Sequence, residues 1–182
     1  SIGASEVALR CFLLPVLKEY HRLYPGVRLR ISNQPTPQPI SALRSGAVDM
    51  AVVTTPMGDI KPLRVQSIKE YREIAVCGAA FFQLTERAVS LRELSEYSII
   101  SLGTQTQTHA FYCEWFAKNG LPFAPDIEVA TADQVLPLVK NNLGIGFVPE
   151  EYWEDEDDNG IFRLNLKEEI PLRSICYIKR TD

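Results

Sequence analysis

The chain has 182 residues, with 19 Lys and Arg against 23 Asp and Glu for a formal charge of −4, and 46% of it is hydrophobic and 23% charged. This is a globular composition, and a chain of this length buries about 70% of its unfolded surface, so neither a metal nor disulfides are required to hold a core. No apolar run approaches the roughly 20 residues that span a bilayer, which excludes a membrane helix, and a net acidic chain without a basic stripe is not expected to grip DNA unaided. The opening SIGASEVAL has neither an initiator Met nor a basic stretch ahead of an apolar run, so no signal peptide is expected, and the chain reads as a piece of something longer.

In chain order, IGA is a short apolar strand ending at Ser5, followed by a helix to Tyr24 with Leu13, Leu17, Tyr20 and Tyr24 at spacings of three and four. Pro25-Gly26 stops that helix, and VRLRISN (27–33) alternates like a half-buried strand. A helix is predicted over 36–46 with Thr36 as N-cap, Pro37 at its first position and Gly46 closing it. VDMAVV (48–53) is nearly continuous in its apolar character, as a strand covered on both faces would be. The first 55 residues therefore read β-α-β-α-β, the pattern of a parallel, helix-covered sheet.

The stretch 63–78 is one long extended run, readable as two strands with no helix between them, and suits a crossing from one lobe to another. A short helix (91–97), a strand (98–103), a helix (107–119), a strand (126–130), a helix (132–142) and a strand (145–149) follow. Segments 162–166 and 172–180 are closing strands, the latter a return crossing. The inferred architecture is two α/β lobes joined by extended crossovers.

Three helix starts follow strand ends directly, at Ser5-Glu6, at 104–108 and at 131–134, and Thr36 begins a fourth. Ligands of open α/β sheets sit beyond the carboxyl ends of the strands, where helix N-termini offer unpaired N–H groups to an anion. Each Ser or Thr there also suits a simple capping role. The turn SLGTQTQTH is richer than capping requires, because Ser101, Thr104, Thr106 and Thr108 crowd it, and it points to a small polar or anionic ligand.

Catalytic signals are weak. His109 and Cys113 stand four apart on one helix, as a thiol and its base would, but no third group orients them. No G-x-S-x-G, H-E-x-x-H, P-loop or dinucleotide fingerprint occurs, and Gly144 and Gly146 suit the end of a helix and close packing instead. The cysteines (Cys11, Cys77, Cys113 and Cys176) are far apart in apolar stretches and are expected to be buried and free. The run 150–158 holds seven acidic residues and reads as a solvated loop. Helix 6–24 has no charge between Cys11 and Leu17, more apolar surface than one sheet uses, so a second contact such as a partner subunit is expected.

Three stretches, IGASEVALRCFLLPVLKEYHRLYPGVRLRISN, ISALRSGAVDMAVV and VATADQVLPLVKNNLGIGFVPEEY, together resemble the effector-binding domain of LysR-type transcriptional regulators. The resemblance runs from residue 1 to about 180. It rests on Leu14, Pro15, Leu17, Tyr24, Pro25 and Val27, then Leu43, Gly46, Asp49 and Ala51, then Val139, Leu143, Gly144, Ile145 and Pro149. It implies an α/β fold of two Rossmann-like lobes with a cleft between them, like type 2 periplasmic binding proteins. Lobe I would hold 1–71 with 177–182 returning to it, and lobe II 72–176.

The resemblance also implies a small-molecule effector, polar or anionic, met by Ser5, Thr36, Thr54, Thr104, Thr106, Asp133 and Gln134. No cofactor, no metal and no catalytic residue is expected. A homodimer or tetramer would form through helix 6–24 against a lobe II helix of another copy, in the cytoplasm and away from membranes. DNA would be met only through an N-terminal winged helix-turn-helix absent from this chain. The helix that closes lobe I in the family is expected to be truncated here or to belong to residues not given. The cysteine pair of the family's peroxide sensors is not matched by Cys77 and Cys113, so redox sensing is not expected. The alternative function is a stand-alone solute-binding protein of a transport system, and an enzyme on the same fold ranks last.

Overall fold

The computed structural model describes residues 1–154 and 160–182, and its contacts divide the chain into two units, Ser1–Glu70 with Arg173–Asp182, and Tyr71–Leu172. The first unit is built on a five-stranded sheet of order β2-β1-β3-β10-β4. Strand β1 (Ile2–Ala4) is buried throughout and lies parallel to β2 (Ile31–Asn33) and β3 (Met50–Thr54), with Ile2 opposite both Ile31 and Met50. Strand β10 (Arg173–Lys179) runs antiparallel to β3, with Ile175 opposite Thr54, and β4 (Arg64–Tyr71) forms the edge. Strand β10 runs against its neighbour while β1, β2 and β3 are parallel, so the sheet is mixed. Beneath it Ile40, Leu43, Val48, Ala51, Val53 and Ile178 form a core.

The first helix is not uniform. It begins as α1 (Glu6–Ala8), widens into a π-helical turn over Leu9–Leu13, and continues as α2 (Leu14–Leu23). Pro15 has no N–H to give the Cys11 carbonyl four residues back, and the Leu14 N–H reaches five back to Leu9 O. Lys69 Nζ lies 3.5 Å from the Cys11 carbonyl left over by this widening. No residue of α2 is buried, and Leu14, Val16, Tyr20 and Leu23 are all exposed.

The next helix starts later than the sequence suggests. Helix α3 covers Gln38–Arg44 with Pro37, not Thr36, at its N-cap. The Gln38 N–H closes a turn onto Pro35 O at 3.1 Å, and Pro37 O is the first carbonyl to accept helical N–H groups, from Ile40 and Ser41. Two prolines thus move the start by one residue and leave Thr36 in the turn. Gly46, at a φ of 81°, closes the helix as expected.

The second unit has a sheet of order β7-β6-β8-β5-β9. Strands β6 (Ile99–Leu102), β7 (Ile127–Val129) and β8 (Ile145–Pro149) are parallel, while β5 (Glu73–Gly78) runs antiparallel to β8 and to β9 (Ile161–Arg163). The long extended run is indeed two strands, β4 in the first unit and β5 in the second. Helices α4 (Leu91–Leu94), α5 (Gln107–Lys118) and α6 (Val135–Lys140) follow, with a 3₁₀ turn over Ala132–Gln134 leading into α6. Tyr112, Trp115 and Phe116 of α5 pack on Phe147 of β8, the Tyr112 and Phe147 rings stacked at 4.9 Å. Two elements escape the sequence reading, a 3₁₀ stretch over Ala79–Glu86 and α7 (Glu150–Glu154). The first five residues of the acidic run are therefore helical rather than loop, and the rest of the run, 155–158, lies outside the described residues.

Candidate functional site

The carboxyl ends of β1, β2 and β3 fall side by side on one edge of the first sheet; Ser5 directly follows β1, Thr36 stands in the turn beyond Asn33, the last residue of β2, and Thr54 ends β3. All three are buried, at 7%, 5% and 4% exposure. Ser5 caps α1, its Oγ accepting from the Ala8 N–H at 3.4 Å. Thr36, displaced from the cap it was expected to fill, has a buried hydroxyl with no hydrogen-bond partner among the described residues. A buried hydroxyl left this way costs free energy unless a ligand or water meets it.

Thr54 has a neighbour that the sequence did not announce. Arg173, at the start of β10 and only 2% exposed, donates from Nε to the Thr55 carbonyl at 2.7 Å and from Nη2 to Thr54 Oγ1 at 3.2 Å. The Thr55 hydroxyl accepts from the Ser174 N–H at 2.9 Å and pins the same strand end. The available signal was period two: Arg173 stands in phase with buried Ile175, an inward position for a cation. Arg44 does not reach such an edge, because its Nη2 donates to the carbonyls of Asp59 and Lys61, at 2.6 and 3.1 Å.

In the second unit the matching edge is formed by the ends of β6 and β7. Ser101, on β6, is 4% exposed and its hydroxyl has no partner among the described residues. Thr104 is exposed in the turn that follows. Thr106 is fully committed, since its hydroxyl donates to Gly103 O at 2.8 Å and accepts from the His109 N–H at 3.1 Å as the cap of α5. Asp133 and Gln134 stand in the 3₁₀ turn after β7 and are turned to their own loop. Asp133 accepts from the Thr131 hydroxyl, and Gln134 Oε1 from the Ala130 N–H at 3.0 Å. Of the expected site residues on this edge, Ser101 and Thr104 are the ones whose hydroxyls make no capping bond.

Cys113 Sγ does face His109 Nδ1, at 3.4 Å. Burial, however, pushes the Cys113 thiol above its ordinary range, so the thiolate that a nucleophile needs is disfavoured. All four cysteines are free, yet only Cys77 and Cys176 are buried; Cys11 and Cys113 are partly accessible. A pocket of about 620 Å³ opens where the chain beyond β9 leaves β5, lined among others by Arg72, Glu73, Arg163 and Lys167. None of the expected site residues lines it. Several of its charges are engaged within the fold: Arg72 pairs with Glu169 and Arg163 with Glu150, each at 3.6 Å, and Glu168 accepts from the Leu91 N–H at the start of α4. Among the described residues no group of three His, Cys, Asp or Glu is placed to hold a metal, and no helix is long and apolar enough to cross a membrane.

With this geometry in view, the family comparison is direct: the LysR substrate binding domain matches residues 1–182. The chain belongs to that family. It is 26% identical over 97% of its length to the HTH-type transcriptional regulator CysB of Burkholderia cenocepacia, of which it spans 61%. Among solved structures, the Synechocystis PCC6803 CcmR regulatory domain in complex with 2-PG superposes with a TM-score of 0.86 at 13% identity, covering 99% of this chain and 86% of that one. The cofactor-binding domain of the Cbl transcriptional regulator gives 0.85 at 18% identity, covering 98% and 78%. The fold is thus that of LysR regulatory domains, two α/β lobes of the periplasmic-binding-protein kind, and the chain is an effector-sensing domain.

Proposed function

We propose that this domain binds a small polar or anionic effector at the carboxyl ends of its strands and so regulates transcription by a longer, cytoplasmic LysR-type protein. The winged helix-turn-helix of that protein makes the DNA contact. The observation that carries the reading is the buried hydroxyl of Thr36, without a partner among the described residues, in the turn after β2, with buried Ser5 and Thr54 at the ends of the neighbouring strands β1 and β3, where open α/β sheets take their ligands. Ser101 and Thr104 are its counterparts in the second unit; Thr106, Asp133 and Gln134 shape the turns they stand in. An effector changes the regulator only by binding one of its states more tightly than another. No enzymatic role is proposed: Cys113 faces His109, but burial raises its thiol above the ordinary range and disfavours the thiolate that a nucleophile needs. A solute-binding role in transport is not favoured, because the LysR substrate binding domain matches the whole chain and a transcriptional regulator is similar over 97% of it.

Self-association through α2 completes the proposal. A ten-residue helix with no buried residue has its apolar side chains in water unless a second copy covers them. The test of the effector reading is a thermal-shift panel of amino acids, small carboxylates, aromatic acids and sulfate. A ligand at about 100 times its Kd stabilises by roughly 2.7 kcal/mol, a shift of a few degrees. The shift is expected to vanish in Thr36→Val. A shift that survives both Thr36→Val and Ser101→Ala would place the ligand elsewhere.

A further inference from the structure

We propose that the second unit carries a ligand site of its own, the cavity of about 620 Å³ beside the start of β5, and that this cavity takes an elongated dianion, a linear dicarboxylate, between Arg72 and Arg163. The site is independent of the strand-end hydroxyls, none of which lines it.

The cavity is made by a change of partner. Strand β9 pairs with β5 as far as Val76 opposite Arg163, and the Leu164 N–H still reaches Ala75 O at 2.9 Å. Continued register would set Leu166 against Glu73, but Leu166 bridges to Val89 instead. The Val89 N–H donates to Asn165 O at 2.8 Å and the Lys167 N–H to Val89 O at 2.9 Å. The departing chain is then held as a wall, since both Glu168 oxygens accept from the Leu91 N–H and Trp115 Nε1 donates to Glu169 O at 3.0 Å. The volume is that of small-molecule sites, about 300 to 1,000 Å³, and a wall fixed in advance lowers the cost of binding.

The groups around this gap are mostly unspent donors. The ion pairs of Arg72 with Glu169 and of Arg163 with Glu150 stand at 3.6 Å, beyond hydrogen-bond reach. Among the described residues the side chains of Arg72, Arg163, Lys167 and Asn165 make no hydrogen bond. The acceptors are in the opposite condition. Glu168 is committed to Leu91, Glu73 is 4% exposed and presents almost nothing to an occupant, and Glu169 lies largely in solvent. An occupant is therefore asked for acceptors, and three cations ask that they be charged. Arg163 stands opposite Val76, four residues of extended chain from Arg72, about 13 Å. Two guanidinium groups rooted that far apart suit two carboxylates joined by a short chain better than one compact anion.

The experiment titrates the domain with glutarate, adipate and pimelate, and with the matched monocarboxylates valerate, hexanoate and heptanoate. Affinity is read by calorimetry and by tryptophan emission, since both tryptophans of the chain stand at this site. Trp115 bonds the wall, and the Arg163 guanidinium lies 6.0 Å from the Trp153 ring centroid. A dicarboxylate is expected to bind about tenfold or more tightly than its monocarboxylate, the worth of one hydrogen bond to a charged group. Arg72→Met and Arg163→Met each remove about tenfold and most of that advantage. Glu169→Gln strengthens binding by about threefold, because Arg72 then has no carboxylate to give up. A variant that merely disturbed the fold would weaken it. Circular dichroism and ligand-free melting verify that each variant is folded.

Binding undiminished in both arginine variants, or no preference for two carboxylates over one, would overturn the proposal. So would the failure of every dicarboxylate to bind. Thr36→Val and Ser101→Ala are expected to bind as the wild type does. Affinity lost in either would move the ligand to the strand ends, overturning this site while supporting the effector reading.

Discussion

At the scale of single residues, the hydroxyls sort by what their lone pairs and protons are doing. Thr106 looked like Thr104 in the sequence, yet one is spent on a helix cap and the other is exposed. No pattern of neighbours separates them, because which threonine caps depends on where the turn lets the first helical N–H groups emerge. Cys77 shows the same dependence on place. Fully buried, its thiol is pushed from the ordinary 9.0 up to about 11 by desolvation. The folded state therefore holds this proton after the unfolded chain has released it. The stabilisation is complete below about pH 9 and is lost as pH rises toward 11, about 2 to 3 kcal/mol across the window. Urea unfolding of wild type and Cys77→Ala from pH 8 to 11 is expected to show a steeper alkaline loss in the wild type, and parallel curves would refute it.

At the scale of elements, strands were the most legible. IGFVP was read to the residue, and the 63–78 run resolved into β4 and β5 as expected. Helix starts were less so: Thr36 was misjudged because capping statistics ignore what a pair of prolines does to the first turn. The glycine of β8 behaves as its setting demands. A Cβ on Gly146 would come within 2.6 Å of Val135 Cγ1 and 2.7 Å of Val139 Cγ2, both on α6. Gly146→Ala is expected to cost about 1 to 3 kcal/mol through overpacking, read as a lower urea midpoint at an unchanged slope. The first helix tells a different story, since its π-helical turn follows from Pro15, a residue the sequence reading used only to recognise the family. A proline in a helix interior is visible in any sequence; whether the helix breaks, kinks or widens there is decided by what can reach the carbonyl it strands.

At the scale of the whole molecule, the excess of apolar groups on helix 6–24 was legible and the reason for it is physical: α2 buries nothing within this chain. Leu14 and Leu23, 50% and 55% exposed, are expected to anchor self-association. Sedimentation of Leu14→Glu and Leu23→Glu should show a shift toward monomer with little change in the melting of the isolated subunit. A wild type that is monomeric at high concentration would remove the basis for this surface. Arg173 was the largest omission of the sequence reading, and it is a whole-molecule effect. Its partners, Thr54 and Thr55, lie 119 and 118 residues away in the chain, so only the return of β10 to the first sheet brings them together.

That return also sets an order of events during synthesis. Strand β10 lies between β3 and β4, so the first sheet is split in two until residues 173–179 exist. The second unit, by contrast, is one continuous segment, Tyr71–Leu172. A ribosome delivers the chain from its N-terminus, and domains generally fold as they become complete. Of the two units, the one that begins first is therefore the one that finishes last: its opening strands wait, with edges uncovered, until residues 173–179 emerge.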